Sequence, residues 1–137
     1  MLDVGLVRAE DIHALWSKAE PFVESSCREA NADVSPIEVK LKLLSGEWTL
    51  IVVFDEETQD IEGTVVVHVH NRLNDRVAFI TAIGGKFITN GYSFERLREL
   101  LRDMGATCIE GNVRDSVLKL LSKLGFVKKS TTISYPL

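Results

Sequence analysis

Between Trp48 and Ile83 the chain carries three runs dense in β-branched residues, "WTLIVVFD", "IEGTVVVHVH" and "RVAFITAI", divided by the short polar segments "EETQD" and "NRLND". Side chains branched at Cβ are stiff at χ1 and pack well on a pleated surface, so each run is predicted as a strand. The polar segments are too short to hold a crossover helix, so the strands pair antiparallel through hairpin loops. Such a sheet needs helices to cover it, and the chain supplies them both before and after the three runs.

Upstream, Val4 to Arg8 reads as a short strand. In "AEDIHALWSKAEPFVESSCREA", Ile12, Leu15, Trp16 and Ala19 fall at helical spacing until Pro21, which predicts a helix broken once. "SPIEVKLKLLSGEW" opens a second helix with Ser35 as N-cap, Pro36 in the first helical position and Glu38 three residues on, and Gly46 closes it. Downstream, "GYSFERLRELLRDMGA" places Phe94, Leu97, Leu100, Leu101 and Met104 on one stripe, with Arg and Glu opposite and Gly105 as C-cap. "TCIEGNV" then reads as a strand, "DSVLKLLSKLG" as a helix and "FVKKSTTISY" as a final strand. The order β-α-α-β-β-β-α-β-α-β is an α+β architecture: a central, mostly antiparallel sheet with helices on both faces. The right-handed crossover rule makes the two strands flanking the helix at 91–104 parallel. Residues 1–137 are expected to form one domain, since a chain of this length buries enough surface for one core.

A net charge of -4, with basic residues scattered, lacks the basic footprint of a nucleic-acid binder. The N-terminal sequence has no signal-peptide pattern, and no run approaches the length of a membrane span, so neither nucleic acid nor membrane is expected as a partner and the expected location is the cytoplasm. There Cys27 and Cys108 would stay reduced.

The stretch "FITAIGGKFITNGYSFERL" passes from a strand through Gly84-Gly85 and Asn90-Gly91 into the amphipathic helix. A helix N-terminus offers unpaired N–H groups and partial positive charge, so an open one can take a phosphate. A plain turn, using glycine at positive φ, explains the same residues without a ligand.

The element order and this loop resemble the GNAT superfamily of N-acetyltransferases. In that family the loop reads Arg or Gln, two residues, Gly, one residue, then Gly or Ala; here it falls on Ile88 through Ser93, with Gly91 kept and Ile88 in the leading position. The family's later Asn, Tyr and "ekLGF" fall on Arg114, Leu121 and "KLGF" ending at Phe126. Gly84-Gly85, Gly105-Ala106 and the Arg114 start are similar to GNAT-like proteins of bacteriophages. The resemblance implies acetyl-CoA as acetyl donor, with its pyrophosphate on Asn90, Gly91, Tyr92 and Ser93 and its pantetheine amides pairing as an added strand near Ala82 and Ile83. The acceptor would be an unidentified amine or a host protein. The departures at Ile88 and Leu121 support the alternative of a catalytically inactive phage protein serving as virion component or host-protein binder. A homodimer is compatible with either.

Acyl transfer to an amine needs a base for the amine proton and an acid for the thiolate. Glu110, on the same strand face as Cys108 and Asn112, is the candidate base, with a solvated strand residue as the other reading. Tyr92 and Tyr135 are possible acids off the family's Tyr position, and Ser93 is either a thiolate partner or a small helix-start residue. His68 and His70 share a strand face; they read as a polar pair, as two ligands of a metal lacking a visible third, or as a lining of the acceptor side where a neutral imidazole is the base. No metal site is expected. Trp16, Phe22 and Trp48 read as core anchors or as a substrate wall. Arg96, Arg98, Arg102, Lys128 and Lys129 read as solvated charges, one of which would pair with the 3'-phosphate of CoA.

Overall fold

A computed structural model describes residues 1–29 and 34–137. The sheet has five strands in the order β1-β2-β3-β4-β5: β1 (Leu2–Val7), β2 (Thr49–Asp55), β3 (Ile61–Asn71), β4 (Arg76–Gly85) and β5 (Cys108–Gly111). The first four pair antiparallel and β5 joins β4 in parallel, as the crossover rule requires of strands joined through a helix.

Strand alternation gives the sheet two apolar faces. On one, Leu50, Val52, Val66 and Ala82 meet Ile12, Trp16, Ala19 and Val23 of α1 (Ile12–Glu29) and Val39 and Leu43 of α2 (Pro36–Leu44). On the other, Ile51, Val53, Val65, Val67, Ile80 and Ile83 meet Phe87 of the short α3 (Lys86–Thr89) and Phe94, Leu97 and Leu101 of α4 (Gly91–Asp103). Each face is an apolar layer that holds its helices to the sheet. The helix α5 (Asp115–Ser122) follows β5 and buries Val117 and Leu121.

Three local outcomes differ from the sequence expectation. The first helix is not broken at Pro21: α1 runs continuously through it. Proline deprives the Ser17 carbonyl of its helical partner, but Ser17 and Pro21 both lie on the exposed side, where water can take that bond. Burial of Ile12, Trp16, Ala19 and Val23 on the opposite side carries the helix onward; its expected last residue, Ala30, lies outside the described residues. The loop after β4 contains an extra helical turn, α3, because Phe87 turns fully inward to fill the layer under α4. The final strand expected at 126–135 is absent: residues 126–137 pair with nothing in the sheet, and Val127, Ile133 and Tyr135 are almost fully exposed.

Two bulges shape the sheet. On β3, Glu62 is extra where Val53 faces Gly63 and Phe54 faces Ile61. On β4, Thr81 is extra where Val66 faces Ala82 and Val67 faces Ile80. A bulge bends its strand and breaks the local ladder.

Candidate functional site

The Thr81 bulge falls where β4 begins to leave β5. The continuous parallel ladder runs from Val77↔Cys108 to Ile80↔Gly111 and stops there, with Val113 adding a single isolated bridge, while β4 continues five more residues to Gly85. The two strands therefore part between Ile80 and the end of β4. A cleft of about 1090 Å³ opens at this point, lined by Ile80 and Ile83 of β4, Gly111 and Asn112 beyond β5, Phe94 of α4 and Leu118 of α5. It continues along β5 past Cys108 and Glu110 to the segment 126–132.

Of the two β4 residues expected beside pantetheine, Ile83 reaches this cleft. Ala82 turns its side chain into the opposite layer, under α1 and α2, so its backbone alone is available to a ligand.

β4 ends at Gly85, whose φ of 67 and ψ of -140 lie in a region open to glycine and closed to side-chain-bearing residues. The chain then makes the α3 turn and enters α4 at Asn90. The Asn90 side chain caps this helix, accepting from the Ser93 N–H at 3.0 Å, and the Asn90 carbonyl takes the Phe94 N–H at 3.1 Å. The first-turn N–H groups of Gly91 and Tyr92 are not engaged by either bond. Apart from its chain neighbours and the backbone of its own helix, no heavy atom lies within 4 Å of the position a Gly91 Cβ would occupy. Phe87 is buried below and does not cover this start, and Tyr92 is mostly exposed. The start of α4 is therefore open at Gly91 and Tyr92. Ser93 is wholly buried, so its hydroxyl serves the cap and is not presented to a ligand. The four residues 90–93 stand outside the cleft wall, with Phe94 as the link between the two places.

Ile88, in the position where the resemblance wants Arg or Gln, packs against the layer under α4, and Leu121, in the Tyr position, is buried on α5. Neither position offers a polar side chain to a ligand.

Glu110 lies in the cleft wall, but not as a free base. Arg72 donates to both carboxylate oxygens at 2.8 Å, and Lys129 Nζ donates to Oε2 at 2.6 Å. The Arg72 and Lys129 hydrogen bonds hold its pKa at about 2. A carboxylate held that low is a weak acceptor for an amine proton near neutral pH, so in this arrangement Glu110 is an ion-pair centre. Neither cation was linked to Glu110 by the sequence: Arg72 lies 38 residues away, in the β3–β4 turn, where no local spacing rule applies.

Across the sheet, register aligns His68 of β3, Phe79 of β4 and Glu110 of β5 in one row, with His70, Val77 and Cys108 in the next. The His68 ring stacks on Trp48 at 6.0 Å and lies 5.3 Å from both His70 and Phe79, between ring centroids. Burial, and then the neighbouring His70, push the His68 pKa below its ordinary value, which favours the neutral imidazole. The buried Nδ1 of His70 has no hydrogen-bond partner among the described residues. No group of three or more His, Cys, Asp or Glu among the described residues is placed to hold a metal ion.

Trp16 is a core anchor whose indole N–H donates to Glu20 at 2.7 Å, whereas Trp48 is half-buried and belongs to the histidine row. Arg96 and Arg98 pair with Glu99 and Glu95 along α4, and Arg98 and Arg102 border the cleft. Tyr135 is exposed on the unpaired segment and Tyr92 at the helix start, so neither lies in the cleft. No helix among the described residues is long and apolar enough to cross a membrane.

No family model matches the sequence, and no curated protein matches it. Solved structures do resemble the fold. A ribosomal-protein-alanine N-acetyltransferase from Brucella melitensis biovar Abortus 2308 superposes with a TM-score of 0.68 at 12% identity, over 99% of each chain. AAC(6')-Iy in complex with the bisubstrate analog CoA-S-monomethyl-acetylneamine gives 0.67 at 13% identity, over 100% of this chain and 98% of that one. A predicted acetyltransferase with acetyl-CoA from Clostridium acetobutylicum gives 0.64 at 16% identity, over 99% and 96%. At these identities the likeness concerns architecture, and the five-stranded mixed sheet with its helical layers has the GNAT-like fold.

Proposed function

We propose that the protein is an N-acetyltransferase that takes its acetyl group from acetyl-CoA. The observation that carries the reading is the parting of β4 from β5 after the Thr81 bulge, next to a helix start left open at Gly91. A pantetheine arm is an extended chain with two amides, and it suits a strand whose ladder partner has just ended, near Ala82 and Ile83. Its pyrophosphate would meet the N–H groups of Gly91 and Tyr92, where the backbone supplies the donors and the helix start supplies partial positive charge. The neighbours solved with a CoA-based analog and with acetyl-CoA support the choice of donor.

Acetyl-CoA supplies a thioester whose carbonyl carbon a neutral amine can attack. The chain must then take a proton from the amine and let the thiolate leave. His68, outside the cleft wall but beside its Phe79, is the acceptor in this reading through a water: its lowered pKa favours the neutral imidazole, whereas Glu110 is tied to Arg72 and Lys129. The unpartnered His70 nitrogen marks a polar place in the same row for that water or for the acceptor itself. Trp48 and Phe79 flank the row with apolar surface. The acceptor is a primary amine on a small molecule or a protein, and a phage lineage would make a host protein the natural candidate. Incubation with acetyl-CoA and a panel of small amines and peptide N-termini, followed by free-thiol release, tests the reading. Amine-dependent thiol release supports it, and none across the panel counts against it.

A second reading is a GNAT-fold protein without turnover. The packing of Ile88 against the layer under α4, and the apolar Leu121 in the cleft wall, favour it. It predicts CoA binding without thiol release, or no binding at all.

A further inference from the structure

Residues 127–137 are held to the fold by very little. All of them are exposed, and no backbone hydrogen bond joins them to the rest of the described chain. Yet residues 127–132 form part of the cleft wall beside β5. A chain end without bonds of its own samples many conformations, so something has to hold this one against the cleft.

Two attachments do so. At the root, Gly125, at a φ of 104, ends the turn after α5, and Phe126 packs on Phe94 of α4 at 5.5 Å between centroids. Three residues on, Lys129 Nζ donates to Glu110 Oε2 at 2.6 Å. Among the described residues this is the one hydrogen bond, backbone or side chain, that ties residues 127–137 to another element. Its acceptor is prepared for it. Arg72, from the turn between β3 and β4, grips both Glu110 oxygens at 2.8 Å and fixes the carboxylate. Lys129 is the releasable half: its side chain is 63% exposed and makes a single bond.

We propose that residues 127–132 are a strap over the β5 side of the cleft, hinged behind Phe126 and latched by Lys129 on Glu110, and that the cleft is entered when this latch opens. Opening strands neither charge, since Lys129 passes to water and Glu110 keeps Arg72. An exposed ion pair of this kind favours the closed strap by about twofold to fivefold, so the strap exchanges readily and salt loosens it. The proposal stands whatever ligand the cleft takes.

Cys108 supplies the readout. It lines the same wall, with its Sγ 4.0 Å from Glu110 Oε2, whereas Cys27 sits on α1 outside that wall. Alkylation by iodoacetamide, with each cysteine counted separately by peptide mass, is compared for the parent, Lys129→Gln, Lys128→Gln and a chain ending at Phe126. Each rate is divided by the thiolate fraction from that variant's own pH profile, so a changed thiol pKa drops out. The shortened chain should label Cys108 fastest and set the open limit. Lys129→Gln, and the parent in about 1 M salt, should raise the Cys108 rate by about twofold to fivefold. Lys128→Gln removes the same charge one residue away and should leave the rate alone, and Cys27 should label equally in every sample. The removed segment buries no side chain, so the shortened chain should keep the parent's melting temperature; should it unfold, Lys129→Gln and the salt series decide. A folded shortened chain whose Cys108 labels at the parent rate overturns the proposal, because the segment then covers nothing. So does a Cys108 rate that Lys129→Gln and salt both leave unchanged, or one that Lys128→Gln raises as much as Lys129→Gln does.

Discussion

Two glycines six residues apart should respond very differently to the same added methyl group. Gly85 ends β4 at a φ of 67 and ψ of -140, and a Cβ there would collide with the Glu62 carbonyl oxygen and come within 2.7 Å of the Gly63 Cα across the ladder. Holding alanine in such a sparsely populated conformation costs about 1–3 kcal/mol. Forcing an extra carbon into a packed place costs about 1–3 kcal/mol more, and it cannot be relieved by swinging a side chain because both obstacles are backbone. Taking about 3 kcal/mol as the smaller half of that range, a domain of this size should lose roughly 10 °C in melting temperature. Gly91 has open space at its Cβ and sits in the first turn of α4, so Gly91→Ala should stay within about 0.5 kcal/mol of the parent. Urea unfolding of the parent and both variants, with the slope checked for constancy, gives the comparison directly. A Gly85→Ala chain that melts within about 2 °C of the parent would refute the reasoning. It would mean that the β4 exit adjusts freely and does not fix where the α4 start is presented.

Other outcomes follow from the charged and aromatic rows. The Glu110 carboxyl is held at about 2 against an ordinary 4.5, so the pair stabilises the fold above about pH 4.5 and that contribution is lost as the pH falls toward 2. Solvent at this partly exposed site screens the effect to about 1 kcal/mol, and Glu110→Gln should flatten acid unfolding over that window; an unchanged acid profile would contradict the pairing. If His68 takes the amine proton, acyl transfer should rise with pH through a value below the usual 6.5 of histidine. His68→Gln should then lower kcat by roughly a hundredfold with KM for acetyl-CoA kept, and a variant retaining the parent pH profile would remove His68 from the reaction.

Much of this fold is written locally. The β-branched runs of β2, β3 and β4 and the apolar stripe of α4 carry their own periodicity, and Ser35 caps α2 through the Glu38 N–H at 3.2 Å. The parallel pairing of β4 with β5 follows from the helical crossover that joins them. What escaped depended on a third dimension. Pro21 breaks a helix on average, but here its lost bond faces outward and the buried side decides. The strand signal at 126–135 is real as a propensity, yet the segment meets the edge strand β5 through the Lys129–Glu110 ion pair without joining its ladder, and sequence says nothing of where Phe126 is pinned. The opening at Gly91 was suggested by residue type, whereas the capture of Glu110 by Arg72 and Lys129 joins three distant segments. The row of His68, Phe79 and Glu110 likewise exists only once the strand registers are set.

Calorimetric titration of the chain with acetyl-CoA tests the central reading most directly, with Gly91→Trp as the companion because an indole there would cover the open helix start while the space around it lets the fold stand. The account predicts binding in the micromolar range, about -8 kcal/mol, for the parent and its loss in Gly91→Trp at unchanged melting temperature. No heat and no thermal shift for the parent at millimolar ligand would contradict it, and so would binding that Gly91→Trp leaves untouched.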